Sequence, residues 1–193
     1  MAESDRERWD RKYAAGEGPA HFEPKRILTE HRHLLHGGRA LDVACGFGGA
    51  ALYLASLGYR VDAVDVSMVG LARAQAEASR RNLRINFAQA DLTRWTVALP
   101  RYDLIVVLYY LNRDLMPRLV AGLRPGGLLF QATRNIRYLS IRPDFDLAFL
   151  LELGELAQFA TNAGLEILHC TDGIAGEDHA SQLIARRPSN RID

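Results

Sequence analysis

A chain of 193 residues, 48% hydrophobic and 24% charged, is long enough for one sizeable core and unlike a disordered or fibrous protein in composition. Its 24 Lys and Arg against 23 Asp and Glu leave a formal charge of +1, which gives no electrostatic reason to expect nucleic acid or a membrane surface as partner. Cys45 and Cys170 are the only cysteines, too few for a disulfide framework and not spaced as a metal site. Lys12 and Lys25 are the only lysines, an arginine bias read first as composition and second as function. The opening MAESDRERWDRKYAAGEG is charged where a secretory signal is apolar, and no apolar run approaches the roughly 20 residues that span a bilayer. A cytoplasmic chain without a membrane partner, a monomer or a homodimer, is expected.

Residues 1–23 read as a short helical turn, with Trp9 and Tyr13 four apart, running into a loop at Gly16, Gly18 and Pro19. From Pro24, the stretch PKRILTEHRHLL puts Ile27, Leu28, His31, Leu34 and Leu35 at helical spacing, and Gly37-Gly38 stops this leading helix, 24–38. The chain then alternates. Strand ALDVA (40–44) leads through a glycine turn into a helix ending near Gly58. Strand YRVDAVDV follows, and Ser67 is placed to cap a helix running to about Asn82. Strand INFAQA (85–90), a loop through Trp95 and Pro100, and strand YDLIVVLYY (102–110) come next. A helix from about Asp114 to Gly122 closes with RPGG before strand LLFQAT (128–133). Such alternation predicts an α/β fold with a parallel sheet covered on both faces. Helix ELAQFATNA, strand LEILHC and strand ASQLIAR end the pattern. The last two strands have no helix between them, so one antiparallel strand near the C-terminus is expected. A single domain results, with a core over 39–187 and a tail over 188–193.

Gly46, Gly48 and Ala51 in LDVACGFGGAALYLA satisfy G-x-G-x-x-A where the first strand meets the first helix of the alternation. That pattern suits a tight turn approached closely by a ligand. It fits nicotinamide, flavin and adenosylmethionine sites alike, and a turn with no ligand as well. The acids narrow the choice. Asp42 lies inside the first strand, Asp65 closes the second, where a carboxylate can take both ribose hydroxyls, and Asp91 closes the third. A dinucleotide pyrophosphate would be repelled by Asp42, whereas S-adenosylmethionine carries a sulfonium and an ammonium and no phosphate. Two unit charges about 4 Å apart interact by about 4 kcal/mol at an effective dielectric of about 20, which favours the cationic cofactor. Each aspartate alone reads equally well as a cap or a solvated acid.

The segments LDVACGFGG, VDAVDVS, AQADLTRW, YDLIVVLYYLNR and LRPGGLLFQAT, in that order, resemble the class I S-adenosylmethionine-dependent methyltransferases. WDRKYAAGEGPAHFEP and FLLELGEL are similar to the small tellurite-resistance type within that class. The resemblance implies a Rossmann-like three-layer sandwich over roughly 39–187 and an enzyme that moves a methyl group to a small-molecule acceptor. It implies that Asp42, Ala44, Cys45, Gly46 and Gly48 surround the methionine part of the cofactor and that Asp65 holds the ribose. Ser67, Met68, Ala90, Asp91 and Leu92 would flank the adenine, Asp91 accepting from its amino group. Leu108 and Tyr109 would face the methyl group, and Trp9 and Tyr13 would cover the cofactor. The family's first glycine is Ala44 here, a methyl group that the turn is expected to tolerate; Cys45 reads as packing rather than as a nucleophile.

No metal is needed for such a transfer, and no side chain is assigned as a base. Tyr109, Tyr110 and Asn112 are candidates for the acceptor pocket, as is His21, which reads equally as a surface residue. Arg134, Arg137 and Arg142 could hold an anionic acceptor such as a carboxylate or an oxyanion, or simply be solvated. His169 and His179 read as structural, and His31, His33 and His36 as surface residues of the leading helix without metal spacing. The Asn/Asp-Pro-Pro-Tyr motif of methyltransferases acting on planar amino nitrogens is replaced by LYYLN, which argues for a small molecule over nucleic acid. Two other readings stay open. One is a non-catalytic binder of the same cofactor. The other is a nicotinamide-dependent oxidoreductase, for which the expected Tyr-x-x-x-Lys pair is missing.

Overall fold

The computed structural model describes residues 4–17, 22–97, 100–173 and 179–189. The chain forms two compact units, Met1–Thr96 and Val97–Asp193.

In the first unit the helix α1 spans Asp5–Ala14, longer than the single turn expected. Its start is written in the sequence as a capping box: Ser4 Oγ accepts from Glu7 N while Glu7 reaches back to Ser4 N, meeting two otherwise orphaned donors. The leading helix is shorter than expected. It is helical over α2, Arg26–Glu30, and continues only as a 3-10 turn, Arg32–Leu34. The strands β1 (Arg39–Val43), β2 (Arg60–Asp65) and β3 (Ile85–Gln89) pair in parallel, with β2 between the other two. Nearly every residue of β1 and β2 is buried, as a strand covered on both faces requires; β3 pairs with β2 alone here and is largely exposed. The helices α3 (Gly49–Ser56) and α4 (Met68–Arg80) are the crossovers. The core of this unit includes Leu28, Leu41, Leu52 and Leu54, all fully buried.

In the second unit β4 (Tyr102–Leu108) pairs in parallel with β5 (Leu123–Arg134), joined by α5 (Met116–Gly122). β5 starts five residues earlier than expected. The RPGG segment lies inside the strand as a bulge, since the pairing jumps from Tyr102–Leu123 to Leu104–Leu128. Gly126 is left-handed there (φ +80°), and a Cβ on Gly127 would sit 2.9 Å from the Arg124 carbonyl. The helix α6 (Glu155–Asn162) follows, then β6 (Glu166–Thr171) and β7 (Ala180–Arg186). β7 runs antiparallel to both β5 and β6, the expected reversal. Among the described residues no helix is long and apolar enough to cross a membrane.

Candidate functional site

The loop from β1 to α3 has an unusual backbone. Ala44, Gly46 and Gly48 alternate in the left-handed region, at φ +55°, +52° and +75°. Glycine adopts that conformation freely and alanine does not, so Ala44 is accommodated at a cost. Ala44→Gly is therefore expected to raise stability by up to about 1 kcal/mol after the larger entropy of glycine in the unfolded chain is subtracted; denaturant melts check this.

Two buried carboxylates hold the loop. Asp65, at the end of β2, accepts from Gly46 N at 2.7 Å through Oδ2 and from Ser67 N at 2.9 Å through Oδ1. The two oxygens offer about four acceptor positions, and with the N–H groups of Gly46, Ser67 and Val66 against them acceptor capacity still remains for a ribose hydroxyl. Asp42 accepts from Ala51 N at 2.9 Å. Burial, more than the nearby Asp65, pushes the Asp42 carboxyl up to about 7, against the Ala51 hydrogen bond. Burial also raises Asp65, opposed by the backbone N–H groups of Ser67, Gly46 and Val66. The half-buried Cys45 thiol is raised first by burial and then by Asp42 and Asp65, which keeps it protonated and leaves it a packing residue. Buried acids that ionise reluctantly fit a ligand bringing positive charge, and the residues present fit S-adenosylmethionine in this respect.

The helix α1 lies against this loop. Asp10 Oδ1 accepts from Ser67 Oγ at 2.6 Å and from Val69 N at 3.2 Å, while Ser67 Oγ caps α4 by accepting from Gly70 N. The buried Tyr13 ring packs on Phe47 (4.7 Å between centroids) and Trp9 (5.4 Å). Its hydroxyl would stand 2.9 Å from a Cβ on Gly46, and its ring edge 2.9 Å from one on Gly70. Phe22 also neighbours Phe47, with ring centroids 6.4 Å apart and planes tilted by 44°. Met68 is half exposed, and Leu92 is buried. Ala90 donates to the Asp65 carbonyl at 2.9 Å. Asp91 lies two residues beyond β3 rather than closing it; it is exposed, and Oδ1 accepts from Thr93 N and Oγ1. Asp10, Phe47 and Gly70 escaped the sequence reading, because their roles depend on partners distant in the chain.

The second unit holds the remaining candidates. Tyr109, just past β4, is left-handed (φ +59°), with its N–H donating to the Ala132 carbonyl at 2.7 Å. Leu108 and Tyr110 are half-buried. Asn112 Oδ1 accepts from Leu115 N, and its Nδ2 makes a long 3.5 Å contact to Tyr110 Oη. Arg113, also missed, clamps Glu155 at 2.6 and 2.8 Å. The three arginines separate clearly. Arg137 donates to the carbonyls of Asp172 and Gly173, and exposed Arg142 pairs with Asp144. Arg134 sits among the rings of Tyr138, Phe145 and Tyr109, with Cζ at 4.3, 5.6 and 5.8 Å from their centroids. His179 is buried at φ +43° with Nε2 3.4 Å from Ser140 Oγ. His169 lies on β6 and is half-buried. His33 and His36 are exposed, while His31 Nδ1 contacts the Ile27 carbonyl. His21 lies outside the described residues. Among the described residues no cluster of His, Cys, Asp and Glu is arranged to hold a metal.

Residues 40–127 match the family described as methyltransferase domain. A ubiquinone biosynthesis O-methyltransferase from Coxiella burnetii is 29% identical over 175 residues, covering 79% of this chain and 75% of the relative. An S-adenosylmethionine-dependent methyltransferase from Mesorhizobium loti superposes with a TM-score of 0.69 at 19% identity over 86% of this chain and 100% of its own. TehB from Haemophilus influenzae also gives 0.69 at 19% identity, over 94% and 67%. The structural likenesses establish the fold as Rossmann-like α/β. The matched domain marks the chain as a methyltransferase, similar over that stretch to the class I S-adenosylmethionine-dependent enzymes. S-adenosylmethionine is the methyl donor of the Mesorhizobium loti neighbour.

Proposed function

We propose that this methyltransferase acts in the cytoplasm on a small-molecule acceptor, at oxygen, and that its cofactor is held by the residues around Asp65. The single observation that carries the reading is Asp65 itself, buried, fixing Gly46 and Ser67 while its carboxylate keeps acceptor capacity for a ribose hydroxyl. S-adenosylmethionine supplies an electrophilic methyl group on a sulfonium. In this reading Asp65 accepts from the ribose hydroxyls, and Asp42, Ala44, Cys45, Gly46 and Gly48 surround the methionine part. Ser67, Met68, Ala90, Asp91 and Leu92 flank the adenine, and Trp9 and Tyr13 exclude water from above. Tyr109, Tyr110 and Asn112 belong to the acceptor end, and alignment of acceptor and methyl group is the chief contribution of the protein, worth about 7–11 kcal/mol in favourable cases.

The oxygen acceptor is supported by the O-methyltransferase relative, and the choice of a small molecule over nucleic acid by the near-zero net charge and the LYYLN segment. Calorimetry tests the first half: S-adenosylhomocysteine is expected to bind and NADH is not, and binding of NADH alone would end the reading. Release of S-adenosylhomocysteine with a panel of small phenols and alcohols tests the second half, against a protein or nucleic-acid acceptor as control.

A further inference from the structure

Arg134 ends β5, and among the described residues no carboxylate pairs with its guanidinium. A guanidinium offers five N–H donors in a flat fork. Among the described residues none of them meets a carboxylate or a carbonyl, and Nε is buried without an acceptor. The aromatic neighbours satisfy only its faces. Tyr138 and Phe145 meet edge to face at 5.1 Å and 89°, and Tyr109 joins them from a left-handed backbone position. A bulky residue is held there at a cost, a feature that clusters at ligand clamps. The frame around the group is fixed. Fully buried Asn135 donates to the Asp172 carbonyl and to Ser181 Oγ, and accepts from Arg137 N, which anchors the 3-10 turn Ile136–Ser140 that carries Tyr138.

We propose that Arg134, walled by Tyr109, Tyr138 and Phe145, binds the acceptor of this enzyme by a carboxylate group, and that the acceptor is a flat aromatic carboxylate. The fork geometry matches a carboxylate in two parallel hydrogen bonds. A single carboxylate is favoured because Arg137 spends donors on the Asp172 and Gly173 carbonyls and Arg142 pairs with Asp144, so of the three arginines only the Arg134 fork is open among the described residues. Walls made of rings favour a flat, unsaturated body over an aliphatic one. The inference rests on the methyltransferase reading, and the two fail differently.

The test uses the full chain saturated with S-adenosylhomocysteine, and 3,4-dihydroxybenzoate with its neutral twin 3,4-dihydroxybenzamide as calorimetric probes. The wild type is expected to bind the acid about 10-fold to 100-fold more tightly than the amide, the range for hydrogen bonds to a charged group. Arg134→Gln is expected to reduce that ratio to near one. Arg134→Lys, which keeps the charge against the rings, should give an intermediate ratio, and Arg142→Gln should leave it unchanged. S-adenosylhomocysteine affinity should stay within about twofold in all three variants. Equal binding of acid and amide by the wild type, failure of both to bind, or a ratio that survives Arg134→Gln would overturn the proposal while leaving the cofactor site standing. Failure of S-adenosylhomocysteine to bind the wild type would instead remove the reading on which it rests.

Discussion

Replacing Asp65 is expected to weaken S-adenosylhomocysteine binding by at least about 100-fold, through loss of two charge-assisted hydrogen bonds worth about 1.5–3 kcal/mol each. The substitution also strikes the fold. Asp65→Ala leaves the buried N–H groups of Gly46 and Ser67 without their acceptors at 2.7 and 2.9 Å, each at about 1–3 kcal/mol. Asp65→Asn is the milder probe. Its carbonyl keeps one of those donors while its amide meets the other donor head-on, so binding should fall nearly as far with a smaller drop in melting temperature. Calorimetry on Asp65→Asn, with circular dichroism to verify the fold, provides the measurement. Wild-type affinity in a folded Asp65→Asn protein would contradict the assigned role.

The second large effect is a pH dependence with opposite signs for folding and for binding. Asp42 lies in the fold at about 7 instead of its ordinary 3.8, chiefly because burial penalises the charged form. In the unliganded protein the native state therefore holds a proton that the unfolded chain has already released. This group's contribution to stability is greatest below the unfolded value and declines as pH rises from about 4 to about 7. A cationic ligand favours the carboxylate, so binding expels that proton below pH 7. Affinity should then weaken by up to about tenfold for each pH unit below 7 and level off above it. Titrations at pH 5 to 8, in buffers of different ionisation enthalpy, read both the slope and the released proton. Asp42→Asn should flatten the slope, and a slope that survives the substitution would assign the proton elsewhere.

Much of the first unit can be read from the chain alone because its determinants are local. The buried runs of β1 and β2, the glycines at 46 and 48 and the capping Ser67 each announce themselves by residue type and spacing. The capping box at Ser4 and Glu7 is equally local, but α1 is polar over most of its length, so periodicity alone predicts less helix than the box starts. RPGG reads as a helix stop, yet β5 absorbs it as a bulge because the pairing with β4 resumes on both sides of it. Asp10 and Ser67 lie 57 residues apart, and no spacing rule links them. The three arginines look alike in sequence. They differ only in what surrounds each guanidinium, which is a property of packing.

One consequence follows from the double engagement of Asp65. The acid that would grip the nucleoside also pins the glycine turn to the start of α4. A duplicated copy of this gene that drifted into silence as a catalyst would still be obliged to keep that acid to retain its shape. Its presence in a distant cousin therefore certifies architecture, and proof of living chemistry must come from groups whose proposed partner is a substrate alone, as for the fork of Arg134.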